Sequence, residues 1–332
     1  MISFCQFGAG RIGAIHAGNI ARHPGARLLH VIDVNGEAAA QLAKQHDARV
    51  STGDAALADP AVDAVLIASS TDTHAALIEA SARAGKAVFC EKPIDLDIAR
   101  VEACLAVVEK TGIALMVGFN RRFDPNFAKL HGQLRGGRIG RLEMLAITSR
   151  DPGPPPLSYV KVSGGLFRDM MIHDLDMARW LLAEEPVEIF AAASCLVDPA
   201  IGAAGDVDSA VVTLKTASGA LCQISNSRRA SYGYDQRIEA HGEKGMLRAG
   251  NLVESTLEYS GGDGIVGEKP LHFFLERYAA AYRSELDHFI AAVAGKMTPP
   301  TSGADGLRAL VLADAAVESV KTGRAVMVKY TA

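Results

Sequence analysis

A glycine loop, Gly8-Ala9-Gly10-Arg11-Ile12-Gly13, lies between a short apolar run at 2–7 and an alanine-rich segment at 12–22. In that setting G-x-G-x-x-G calls for a strand, a tight turn and a helix in immediate succession. Gly8 permits the turn, Gly10 lets backbone N–H groups approach a phosphate, and Gly13 lets helix and strand pack closely. The pattern then continues. Strand-like runs at 27–33, 63–69, 86–91 and 114–119 alternate with helical segments at 36–46, 73–84 and 98–110. Such alternation predicts a parallel sheet with crossover helices, and the nearly continuous apolar strands predict helices on both faces. Residues 1–118 are therefore expected to form a doubly wound α/β domain of the Rossmann type.

Past residue 118 the texture changes. A helix is predicted at 125–134 and a strand at 141–149, followed by Pro152-Gly153-Pro154-Pro155-Pro156, which reads only as loop. Gly164-Gly165 opens a helical segment running to about 182. Strand-like runs at 187–197, 209–216, 220–227, 237–241 and 245–248 follow without helices between them, so they predict a largely antiparallel sheet. Helices at 271–294 and 304–322 and a short strand at 325–328 close the chain. Residues 119–332 thus read as a second, α+β domain, with the terminal helix free to pack back on the first.

Composition narrows the function. Lys and Arg number 34 against 38 Asp and Glu, for a net charge of −4, which leaves no basic footprint for nucleic acid or an anionic membrane. Hydrophobic residues at 49% and charged residues at 22% supply a sizeable core and exclude wholesale disorder. No apolar stretch is long enough to cross a bilayer, and no basic leader precedes the glycine loop, so a cytoplasmic location is expected. Cys5, Cys90, Cys104, Cys195 and Cys222 are scattered with no Cys-x-x-Cys pair, which predicts reduced thiols and no metal site.

The glycine loop read alone is a tight helix start. Asp33 gives it chemical meaning, because it ends the second strand 20 residues beyond Gly13, where a carboxylate reaches ribose hydroxyls. A 2′-phosphate there would meet like charge at a cost of about 4 kcal/mol at ~4 Å and an effective dielectric near 20. The expected cofactor is NAD rather than NADP; the bland reading of Asp33 is a turn-forming aspartate. Lys92, in Glu91-Lys92-Pro93, follows a strand at the carboxyl edge of the sheet, where such sheets bind ligands, though a loop lysine is ordinarily just solvated. Asp169 and His173 stand four apart in the predicted long helix and would project from one face. A solvated helix face is the bland alternative there too.

Together the GxGxxG start, Glu91-Lys92-Pro93, Gly118-Phe119-Asn120-Arg121-Arg122-Phe123-Asp124 and the Asp169…His173…Asp176 segment resemble the Gfo/Idh/MocA oxidoreductase family. The resemblance covers essentially the whole chain and is greatest to the inositol 2-dehydrogenase branch. It implies a catalytic group of Lys92, Asp169 and His173, with Arg121 and Tyr234 also near a polyol substrate. It implies cofactor contacts from Gly8, Gly10, Arg11, Ile12, Asp33, Ser70, Thr71, His74, Glu91 and Lys92. It also implies an open-faced sheet in the second domain that builds a homodimer or homotetramer. The chain departs from the pattern at Asn120, often apolar in inositol enzymes, and in the proline-rich loop.

The chemistry asks for these residue types. Hydride leaves a secondary alcohol carbon only as the hydroxyl proton is removed, so a base must contact that oxygen. A histidine such as His173 is the natural acid/base, Lys92 can bind the oxygen and stabilise developing charge, and Asp169 can orient ligand or base; whether Lys92 or His173 finally holds the proton the sequence leaves open. The reaction expected is NAD-dependent oxidation of a cyclic polyol, myo-inositol to its 2-keto product. Another inositol isomer or an aldose is the alternative substrate, and a non-catalytic NAD-binding sensor is the alternative of a different class.

Overall fold

The structure, a computed structural model, describes residues 1–330. The chain divides into two units, the first made of Met1–Asn120 and Ala281–Leu310, the second of Arg121–Ala280 and the segment from Val311 onward. The first holds six parallel strands, β1 (Ile2–Phe7), β2 (Ala26–Ile32), β3 (Arg49–Val50), β4 (Ala64–Ile67), β5 (Ala87–Cys90) and β6 (Leu115–Val117), in the order β3-β2-β1-β4-β5-β6. Between them run α1 (Arg11–Arg22), α2 (Gly36–Gln45), α3 (Gly53–Ala58), α4 (Thr71–Arg83) and α5 (Ile98–Thr111).

All four residues of β4 are buried, as expected for a strand covered on both faces. The strand order reverses between β1 and β4, so the loops leaving their carboxyl ends border the crevice where doubly wound sheets take ligands. Those loops carry Gly8 and Ser70. The brief β3 and α3 are absent from the predicted pattern, because a two-residue strand has no period to read. Later chain seals this unit. Phe289 packs on Phe4 and Phe89 at centroid distances of 6.0 and 5.7 Å, and Thr301 pairs with the β6 residue Val117 through both its carbonyl and its hydroxyl.

The second unit is built on a seven-stranded sheet: β7 (Leu142–Arg150), β8 (Pro186–Ser194), β9 (Ser209–Thr216), β10 (Leu221–Ser227), β11 (Asp235–Gly242), β12 (Gly245–Ala249) and β15 (Val326–Met327). Its pairs are antiparallel apart from β7 with β10, which is parallel, so the sheet is mixed rather than purely antiparallel. A separate hairpin pairs β13 (Glu258–Gly261) with β14 (Gly264–Gly267). Its helices are α6 (Pro125–Arg135), α7 (Leu157–Val160), α8 (Gly165–Asp169), α9 (Ile172–Leu182), α10 (Pro199–Ala203) and α11 (Phe274–Arg277), while α12 (Ala279–Val293) and α13 (Gly303–Thr322) each contribute to both units.

β9 alternates buried and exposed residues along its length, which gives the sheet one covered and one open face. Phe190, Val211, Leu221 and Met144 lie exposed on the open one, with Leu221 directly opposite Met144.

One prediction fails in an instructive way. The helix expected from 165 to 182 is two helices, α8 and α9, parted at Met170-Met171. The N–H groups of both Met170 and Met171 donate to the Leu166 carbonyl, at 3.0 and 2.9 Å, so the second bond spans five residues and widens the turn. Asp169 therefore ends one helix and His173 lies in the first turn of the next; they are not a pair on one continuous helical face. The helix predicted over 271–294 is likewise interrupted, at Tyr278.

Candidate active site

In the first unit the glycine loop has the geometry its spacing predicts. Gly8 sits at φ 101°, and a Cβ there would lie 2.3 Å from the Ala68 carbonyl oxygen; one at Gly13 would lie 2.2 Å from that of Gly8. Gly10 is different, because a Cβ there would meet nothing within 4 Å. No packing demand inside the chain explains that glycine, whereas close approach of a phosphate to the backbone does. Gly10 also occupies the cap of α1 without any side-chain hydrogen bond to the helix start. Arg11 is exposed and Ile12 half-buried at the first turn.

Gln6 is a residue the sequence reading missed. Wholly buried, it donates from Nε2 to the carbonyls of Gly8 (2.9 Å) and Gly13 (2.8 Å), bracing both ends of the loop. An amide inside an apolar strand was the available signal.

Asp33, just past β2, accepts from Ala9 N at 2.6 Å and from Asn35 N at 2.7 Å. It makes the turn, and its half-exposed carboxylate is fixed against the glycine loop. These features fit a dinucleotide. Ser70 and Thr71 begin α4 at the carboxyl end of β4. His74 is buried, its ring nitrogens 2.8 Å from Pro93 O and 3.1 Å from Ser69 O, so it ties together two loops at the sheet edge. Lys92 is half-buried after β5 and precedes Pro93 through a cis peptide bond. Glu91 is held by His16, whose Nε2 donates to Oε1 at 2.7 Å.

In the second unit the partners of Asp169 include Tyr159 and Arg228. The Tyr159 hydroxyl donates to Oδ1 at 2.9 Å, and the buried guanidinium of Arg228 lies 3.3 Å from Oδ2. Arg228 also faces Asp151 at 3.7 Å, at the end of the strand that feeds the proline loop. Burial, with Asp169 adding to it and Arg228 opposing it, pushes the Asp151 carboxyl up from its ordinary 3.8 to about 6. Neither Asp151 nor Arg228 figured in the sequence reading. Arg150-Asp151-Pro152 was the visible cue for the first, and nothing local points to the second.

Arg121 is buried within the second unit. It is 4% exposed, donates to Ser149 Oγ at 2.9 Å and forms an ion pair with the buried Asp174, whose other oxygen accepts from Asn226 Nδ2 at 3.0 Å. Burial works against its charge, but Asp174 outweighs it and holds the guanidinium protonated more firmly than usual. Tyr234 is buried edge-on to Tyr278 and Phe273, and burial pushes its phenol well above the ordinary range, so it acts as a neutral hydroxyl. His173 is half-buried in the first turn of α9.

The Asp151 shift has a testable sign. Because the folded carboxyl holds its proton to a higher pH than the unfolded one, stability falls as pH rises from about 4 through about 6. At 1.36 kcal/mol per pH unit the loss approaches roughly 3 kcal/mol. Asp151→Asn is expected to flatten that part of the stability–pH curve in urea denaturation; a curve still parallel to the parent's would rule the shift out.

An uncapped glycine-rich helix start and an acid at the end of β2 fit a dinucleotide-binding domain of the kind that nicotinamide-dependent oxidoreductases carry. Comparison with known proteins agrees. Residues 2–119 match the oxidoreductase family with the NAD-binding Rossmann fold, and residues 127–248 match the Gfo/Idh/MocA C-terminal domain. The chain belongs to the Gfo/Idh/MocA oxidoreductase family. It is 54% identical over 328 residues to the inositol 2-dehydrogenase of Rhizobium meliloti, covering 98% of this chain and 99% of that one. A crystal structure of a putative myo-inositol dehydrogenase from Sinorhizobium meliloti superposes with a TM-score of 0.97 at 53% identity, over 99% and 100% of the two chains. The scyllo-inositol dehydrogenase of Lactobacillus casei, solved with NAD(H) and scyllo-inositol, gives 0.91 at 29% identity over 98% and 99%.

Proposed function

We propose that the chain oxidises the C2 hydroxyl of myo-inositol to the ketone with NAD as hydride acceptor. The observation that carries this reading is the end-to-end similarity, at 54% identity, to an inositol 2-dehydrogenase. Gly8, Gly10 and the start of α1 would hold the pyrophosphate, and Asp33 the ribose. When bound, NAD supplies the acceptor for the hydride that leaves the carbinol carbon.

In this reading Lys92, Asp169 and His173 act on one hydroxyl. His173 takes the proton as the C–H bond breaks, and Lys92 donates a hydrogen bond to the same oxygen as its negative charge develops. Asp169 accepts from the substrate, kept in place by Tyr159 and Arg228. The balance is one alcohol and one NAD giving one ketone, one NADH and one released proton. Tyr234 offers a neutral hydroxyl to the ring, and Arg121 shapes the region through Asp174. The open apolar face around Phe190, Val211 and Leu221 is proposed to be covered by a second copy, in a dimer or tetramer, and a reducing cytoplasm suits the five free cysteines.

Initial rates over a panel of inositol isomers and aldoses, each with NAD and with NADP, test the assignment. The fastest turnover is expected with myo-inositol and NAD. The absence of NADH formation with every inositol would defeat the proposal, and a faster rate with NADP would defeat the role of Asp33.

A further inference from the structure

The first unit buries an acid that the proposed chemistry does not use. Glu285, on α12, is wholly buried, and neither carboxyl oxygen has a hydrogen-bond partner among the described residues. One polar atom each from Glu285, Glu91 and His16 lies within 4.8 Å of the other two. The walls are aromatic, with the His16 ring 5.1 Å from Phe89 and 5.6 Å from Tyr282.

Burial first, then the charge of Glu91, pushes the Glu285 carboxyl well above the ordinary range. Two carboxylates in so dry a place do not both ionise, and a buried carboxyl does not stay unpaired without penalty. Glu91 is the natural acceptor. Its Oε1 takes the His16 hydrogen, while Oε2 closes on Gly118, where an added Cβ would stand 2.9 Å away.

We propose that Glu285 is a positioning residue for Lys92: an un-ionised carboxylic acid that donates its hydrogen to Glu91, directly after a side-chain rotation or through one buried water. His16 and Glu285 then grip Glu91 from two elements, and Glu91 fixes the start of the turn that carries Lys92. The proposal rests on the reading of Lys92 as a catalytic residue.

Glu285→Gln keeps a neutral donor and is expected to turn over close to the parent rate. Glu285→Leu removes the donor at similar volume and is expected to lower kcat roughly 10–100-fold, with KM for NAD little changed, as for a slightly misplaced reacting group. The infrared difference between the parent and Glu285→Gln at neutral pH is expected to show loss of the carbonyl band of a protonated carboxyl, a signal independent of turnover. If Glu285→Leu does not fold, that band and the Glu285→Gln kinetics decide the matter.

Parent-like kcat in Glu285→Leu, a Glu285→Gln as damaged as Glu285→Leu, or no such band would each overturn the proposal. So would a stoichiometric divalent metal in the purified protein that Glu285→Gln loses, because the three groups would then be its ligands. Lys92→Met is measured alongside. Full turnover in that variant would refute the catalytic role of Lys92, and the positioning role with it, while the band would still report the state of Glu285.

Discussion

Replacing His173 by alanine is expected to lower kcat roughly 10²–10⁴-fold while leaving NAD binding intact, the range typical of losing a positioned general base. The expectation follows from the chemistry of a carbinol, whose hydride cannot leave until a base relieves the oxygen of its proton. It also follows from placement. His173 lies in the second unit, at the first turn of α9, whereas the glycine loop and Asp33 belong to the first. The proposed dinucleotide contacts, Gly8, Gly10 and Asp33, do not include the imidazole, so NAD affinity should survive its truncation. NADH formation in the steady state gives the first quantity and fluorescence titration with NAD the second. Undiminished turnover would remove His173 from the mechanism; lost NAD affinity would show that its role is not confined to the proton step.

Asp174→Ala is expected to destabilise the protein by about 3–5 kcal/mol, because it leaves a buried guanidinium without its counter-charge. Asp174 is wholly buried and receives hydrogen bonds from Arg121, Ser149 and Asn226. Arg121 meanwhile is 4% exposed, with the Tyr278 ring 5.8 Å from its guanidinium carbon. Urea denaturation of parent and variant measures the difference, and a loss below about 1 kcal/mol would place the pair among those that contribute little. The neighbouring residues His173 and Asp174 thus answer to different tests, one through turnover and the other through stability.

Arg121 also illustrates how far family resemblance reaches. The resemblance puts it near a polyol, and the structure adds partners that the sequence did not show, Asp174 and Ser149. Asp169 shows the opposite case. Its candidacy was visible in the sequence, but the reason offered, one helical face shared with His173, does not survive the break at Met170-Met171. The partners that hold it, Tyr159 and Arg228, lie 10 and 59 residues away along the chain. Asp151 acquires its perturbed carboxyl only from that assembly.

The sequence by itself determined the parallel sheet of the first unit, the glycine loop, Asp33 and the mostly antiparallel second sheet. Each is written in short-range terms: apolar period, turn residues, and glycines where a Cβ would strike the backbone. Tertiary structure alone decided the break between α8 and α9, the Arg228 bridge, the embrace of Arg121 by Asp174 and the placing of Glu285 beside Glu91. These are contacts between segments distant along the chain, and local preferences do not specify which charge will meet which once water is excluded. Burial then sets the chemistry, because the same carboxyl is an ordinary acid in solvent and a proton holder in an apolar wall.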